Sequence, residues 1–141
     1  MRRTIAALVA AAATPALVLP PAVEAIHQVD HRYVILGYVR DATGRPLPGK
    51  VVRVIRQKTG LILEGETDAD GFYVVIVHLH DEDMLQALLV SVGPRVTVRL
   101  EARFNLFDSR TPRGTRVDFT DGVPRERSEE FATALERYVT K

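Results

Sequence analysis

The sequence contains no cysteine. That absence excludes disulfide cross-links, thiol chemistry and the lipid-modified cysteine of a lipoprotein anchor. Lysine is nearly missing too, occurring only at Lys50, Lys58 and Lys141, so arginine supplies almost all the positive charge. Nineteen basic residues stand against eighteen acidic ones, a formal charge of +1. No clustered basic face results, and nucleic acid is excluded as a partner. Also missing are a Gly-x-Ser-x-Gly elbow, a His-Glu-x-x-His helix and a phosphate-binding glycine loop, so those routes to hydrolysis or phosphoryl transfer are closed. What remains is 46% hydrophobic and 26% charged, enough for one globular domain with a modest core held by packing alone.

The one long apolar run lies at the N-terminus. "MRR" precedes "TIAALVAAAATPALVL", and "PPAVEA" then places the small residues Val23 and Ala25 before Ile26. This is the pattern of a signal peptide over residues 1–25, cleaved after Ala25. The expected consequences are an exported protein, periplasmic or extracellular, with no stable membrane span after cleavage. Losing Arg2, Arg3 and Glu24 would leave equal numbers of acidic and basic residues.

From residue 32 onward the chain reads as short strands between turns. "RYVILGYV" (32–39) is apolar on both faces, and "KVVRVIRQ" (50–57), "LILEGET" (61–67), "FYVVIVHLH" (72–80) and "ALLVSV" (87–92) follow. "RVTVRLEARF" (95–104) alternates strictly, and "TRVDFT" (115–120) is a last candidate. "DATGRPLPG" and "DADG" carry turn residues at turn spacing. In "TDADG" the alternating Asp68 and Asp70 read as a turn, since a calcium loop needs a further acidic residue where hydrophobic strand follows. These signals predict a seven-stranded antiparallel sandwich over residues 26–121. Its core should hold Ile35, Val39, Val52, Val54, Tyr73, Val75, Val77, Leu79, Val90, Val96, Val98 and Leu100, and no histidine. The tail, 122–141, changes period: Phe131, Ala134, Leu135, Tyr138 and Val139 share one stripe of an amphipathic helix over 128–139. Ser128 is placed to cap it, with Glu129 and Glu130 in the first turn.

Three stretches, "GYVRDATGRPLPGKVVRV", "TDADGFY" and "ALLVSVG", resemble the carboxypeptidase regulatory-like domain, a member of the transthyretin-like (prealbumin-like) group of β-sandwiches. The resemblance spans roughly residues 34–93. It implies an all-β, prealbumin-like or immunoglobulin-like sandwich and says little of function, because such domains accompany many exported proteins. It also implies that Tyr73, Val75, Val77 and Leu79 face inward. The two-residue period then turns Phe72, Val74, Ile76, His78 and His80 outward. Three outward apolar residues need a cover, either the tail helix or a second protein.

Two functions are therefore expected. In the first, the domain is a non-catalytic accessory module of the cell envelope, with no cofactor, docking onto another protein or complex. Phe72, Val74, Ile76, Phe131, Leu135 and Tyr138 would form the contact, and the tail helix would reach away in trans on the polar loop 108–116. In the second, His78 and His80, about 7 Å apart on one strand face, bind copper or zinc, with Asp81, Asp83, His27 and His31 as possible further ligands. Against the second stands a plainer role for "HLHDED" as the polar exit of a buried strand, its carboxylates holding the histidines or capping the next segment. Intradiol ring-cleaving dioxygenases share the broad sandwich class and hold iron with two tyrosines and a His-x-His pair. Here the tyrosines are Tyr33, Tyr38, Tyr73 and Tyr138; Tyr73 is expected in the core and Tyr138 on the tail, so the iron set is not matched.

Overall fold

The computed structural model describes residues 31–94 and 97–140. The expected signal peptide, its cleavage site, His27 and the expected core residue Val96 lie outside them. Eight strands form: β1 (Arg32–Arg40), β2 (Val51–Arg56), β3 (Ile62–Glu66), β4 (Phe72–His78), β5 (Ala87–Val92), β6 (Thr97–Glu101), β7 (Arg113–Thr120) and β8 (Val123–Glu126). Among the described residues, single 3₁₀ turns occupy Asp81–Asp83 and Ser128–Glu130, and one α-helix, α1, spans Phe131–Val139. The strands make two four-stranded sheets, ordered β4-β1-β7-β8 and β3-β2-β5-β6.

The all-β sandwich with a C-terminal helix is as expected, but two details are corrected. The described residues hold eight strands, because Val123–Glu126, counted with the tail from sequence, pairs with β7. The first sheet is mixed, because β1 runs parallel to β7 while every other pairing is antiparallel. Pro124 within a four-residue run concealed β8, and edge strands are where proline is tolerated. Strand direction does not show in residue alternation at all.

The core lies between the sheets. Ile35, Val39, Val52, Val54, Tyr73, Val75, Val77, Leu79, Val90 and Leu100 are all buried there, with Val98 half-buried against them. Tyr33, Leu88, Ala102, Val117 and Phe119 complete the cluster, which contains no histidine. The turn at 68–71 is tied by Asp68, whose carboxylate accepts the N–H groups of Asp70 and Phe72.

A second apolar cluster lies on the outer face of the mixed sheet. Leu36 and Phe72 meet Phe131 and Ala134 of α1, with Val34, Tyr38, Val74 and Leu135 around them. The helix therefore covers its own sheet, and the expected docking in trans is corrected to docking in cis. Chain length permits this because β8 brings the chain back along β7 before the helix begins. Ser128 does not cap α1: it opens the 3₁₀ turn, and no side chain caps either element. Anchorage comes instead from Arg116, whose guanidinium spans Asp118 (2.9 Å) and Glu130 (2.8 Å). Asp118, 5% exposed, also accepts the Tyr38 N–H at 3.0 Å.

This last bond falls at a gap in the β1–β7 ladder, between the Leu36–Arg116 and Val39–Phe119 pairs. In the gap the Val117 carbonyl accepts the Tyr73 hydroxyl at 2.6 Å, which supplies that buried acceptor with a donor. A Cβ on Gly37 would stand 1.9 Å from that carbonyl oxygen, and one on Gly114 would stand 2.1 Å from Val34 O and 2.5 Å from Phe131 Cζ. Both glycines are required by close approach.

Cis docking makes α1 part of the folding unit. Phe131→Ala should cost about 3 kcal/mol and lower the melting temperature by roughly 10 °C, and Leu135→Asp should lower it as well. Thermal denaturation by circular dichroism checks both, and unaltered melting would mean that the helix does not pack in cis. Gly37→Ala should be more damaging than either, with loss of soluble protein as the expected readout.

Candidate functional site

Two places on the mixed sheet concentrate chemistry, one at the end of β4 and one along the edge of the face that α1 covers. The first is the end of β4. His78 is its last residue, paired in register with Arg32 at the start of β1. One step further, the Leu79 N–H donates to the His31 carbonyl at 2.6 Å. The pairing thus continues past the strands and sets His31 opposite Leu79, flanked by His78 and His80. The three imidazoles come together: centroids are 4.1 Å apart for His31–His80, 4.9 Å for His78–His80 and 5.2 Å for His31–His78. The rings are tilted on one another by 48° to 83°. His31 Nδ1 is buried without a hydrogen-bond partner.

The carboxylates that follow do not join the histidines. Asp81 pairs with Arg113 at 2.9 Å, an arginine that also lies over the Phe104 ring. Asp83, 6% exposed, pairs with Arg56 at 3.3 Å, accepts from Gln86 Nε2 and accepts the His80 backbone N–H. Both acids are structural ties, one to β7 and one to β2, and Asp83 also closes the 3₁₀ turn after the strand. The expected strand exit with carboxylates capping the next segment is present, and the histidines are left with each other. Lost hydration, then the nearby His80 and His31 rings and the Arg56 cation, push His78 below the ordinary histidine range. The group favours its neutral form, which is the ligand form of imidazole.

The four tyrosines are placed elsewhere. Tyr33 and Tyr73 are inside the sandwich; burial pushes the Tyr33 hydroxyl up to about 12 and raises Tyr73 well above its ordinary value. Tyr38 and Tyr138 each sit against Phe72. Neutral, protonated phenols in a core are not metal ligands.

The second place is a groove of about 350 Å³ between α1, the outer sheet face and the loop before β7. Its apolar lining includes Val34, Val74, Ile76, Leu135 and Tyr138, and Arg32, Arg110 and Arg113 also line it. Of the six residues expected to contact a partner, Phe72 and Phe131 are buried within the chain and Val74 and Leu135 are half-buried. Ile76 and Tyr138 remain, 49% and 46% exposed. The loop is organised by Asp108, whose carboxylate accepts the Thr111 hydroxyl and the Arg110 and Thr111 N–H groups. Those bonds hold Asp108 at a pKa of about 2. The arginines of the groove were not legible in sequence, because nothing in a linear reading sets Arg110 beside β4. Phe107, at 99% exposure in the same loop, was also missed, although an apolar pair inside a polar loop was a visible signal.

Among the described residues, no helix is long and apolar enough to cross a membrane. No protein-family model and no curated protein matches the chain. Solved structures similar to it include the dioxygenase domain of a dioxygenase–carbohydrate-binding protein fusion from Streptomyces sp. SirexAA-E, 17% identical, with 64% of this chain and 79% of that one covered at a TM-score of 0.44. Chlorocatechol 1,2-dioxygenase from Pseudomonas putida is 15% identical, with 64% and 59% covered at a TM-score of 0.45. Catechol 1,2-dioxygenase from Acinetobacter sp. ADP1 is 14% identical, with 62% and 44% covered at 0.41. The chain thus spans less than two thirds of either catechol enzyme, and likeness of this extent carries no conclusion about activity.

Proposed function

We propose that this chain is a small, non-catalytic metal-binding domain that holds a divalent transition metal through His31, His78 and His80. The observation that carries the reading is the gathering of three imidazoles from two paired strand ends. An imidazole nitrogen binds zinc at roughly 2.0–2.1 Å, which puts the ring centroids of two ligands on one ion roughly 4.5–5.2 Å apart. The centroid separations of 4.1, 4.9 and 5.2 Å lie close to that range. Among the described residues no group of three ligands is already set on a common point, so binding turns the rings about their side-chain bonds. His78 and His80 are exposed and have room to turn. Three neutral nitrogen ligands without thiolate favour copper(II) over zinc, in the usual order of divalent stabilities.

Export by a leader over residues 1–25, and kinship with carboxypeptidase regulatory-like domains, belong to the same proposal: an envelope domain would meet its metal outside the cytoplasm. The alternative reading, an accessory module docking by its tail, is weakened because Phe131 and Ala134 are spent on the chain's own sheet. Ile76 and Tyr138 are what it retains.

Calorimetric titration of the metal-stripped full chain at pH 7.5 tests the proposal. One equivalent of copper(II) should bind, more tightly than zinc(II), with no binding of magnesium. His31→Ala, His78→Ala and His80→Ala should each weaken copper binding at least tenfold, while His27→Ala leaves it unchanged. Affinity should fall as the pH is lowered, because an imidazole must be neutral to bind a metal. His78, held below the ordinary histidine range, should protonate at lower pH than an unperturbed imidazole. Wild-type affinity in His31→Ala would refute a three-histidine site.

A further inference from the structure

The groove beside α1 has a composition that the histidine cluster does not explain. Its walls are apolar on the sheet and helix sides, and its remaining lining is polar, with arginine as the charged residue. No aspartate or glutamate is among the described residues that line it. The groove is also preformed: Phe131 and Ala134 fix α1 on the sheet, and Asp108 fixes the loop that carries Arg110. Ile76, Tyr138 and Val139 keep large exposures in the free chain, so apolar area there is still available to a ligand.

We infer that this groove binds the carboxylate of a single medium-chain fatty acid, its alkyl chain on Val34, Val74, Ile76 and Leu135 and its head group between Arg32 and Arg110. Size sets the class. At about 30 Å³ per non-hydrogen atom, water's share of liquid volume, a cavity of 350 Å³ takes roughly a dozen atoms. A ten-carbon monocarboxylic acid has that size. Charge sets the head group. Guanidinium groups present paired N–H donors that match a carboxylate in geometry and sign. Arg113 is committed to Asp81, so Arg32 and Arg110 carry the recognition. This inference is independent of metal binding, since neither arginine nor any groove wall is a proposed ligand.

Decanoate and 1-decanol, identical in chain and different in charge, are the probes. Both are titrated into the full chain below their micelle or solubility limits, by calorimetry and by ¹⁵N and methyl NMR. Decanoate should bind one to one, with shifts saturating at Val34, Ile76, Leu135 and Val139, and decanol should bind at least tenfold more weakly. Arg32→Ala and Arg110→Ala should each bring decanoate affinity down toward that of decanol, with melting unchanged. Ile76→Glu should abolish both at unchanged melting, because Ile76 is half-exposed in the free protein. Equal affinity for acid and alcohol, shifts centred away from the groove, or wild-type affinity in both arginine variants would each overturn the inference.

Discussion

The mixed sheet is apolar on both of its faces, and the rest of the molecule is arranged around that constraint. β1 lies between β4 and β7 and buries Ile35 on one side and Leu36 on the other. A strand buried on both faces needs two covers. The second sheet supplies one, and the chain's last helix supplies the other. Gly114, where a side chain would strike both the β1 backbone and Phe131, sets how closely that helix can approach. The Arg116 bridge between Asp118 and Glu130 fixes it to β7. Its energy comes chiefly from apolar burial, with the ion pairs giving position.

The cover is shorter than the face. Nine residues of helix span roughly 13 Å, while the seven of β4 span roughly 23 Å. The Phe72 end is therefore sealed and the Ile76–His78 end is not. Both candidate sites adjoin that remainder: the groove along the edge of the helix, and the imidazoles where the strand ends. An incomplete apolar cover beside a polar strand exit produces an amphipathic site without any loop built for the purpose.

Electrostatics decide what the exit can do. Had Asp81 and Asp83 turned to the histidines, the imidazoles would be held by carboxylates and favoured as cations. Arg113 and Arg56 take those acids instead, and the pairs tie the segment after β4 to β7 and β2. The structure is thereby stabilised at the strand end, and the imidazoles are freed for one another. His78, with its pKa lowered by lost hydration and by the His80, His31 and Arg56 side chains, is a consequence of that division.

The local sequence determined most of the strands, because a two-residue period and turn residues are local signals. The period put Tyr73, Val75, Val77 and Leu79 on one face and Ile76 and His78 on the other, and the family resemblance implied that the first set is the core. The stripe of α1 was legible for the same reason. Strand direction was not, since parallel and antiparallel strands alternate alike, and β8 was hidden by its brevity and its proline. Whether α1 docked in cis or in trans depended on where β8 delivered the chain, which no local pattern records. His31 is the clearest case. Forty-seven positions separate it from His78, and only the antiparallel register of β1 on β4 puts its ring against the other two. The sequence by itself determined which residues share a strand face, because side-chain period is a property of one strand. The tertiary structure alone decided which outward residues meet, because that depends on pairing between strands and on where the helix stops.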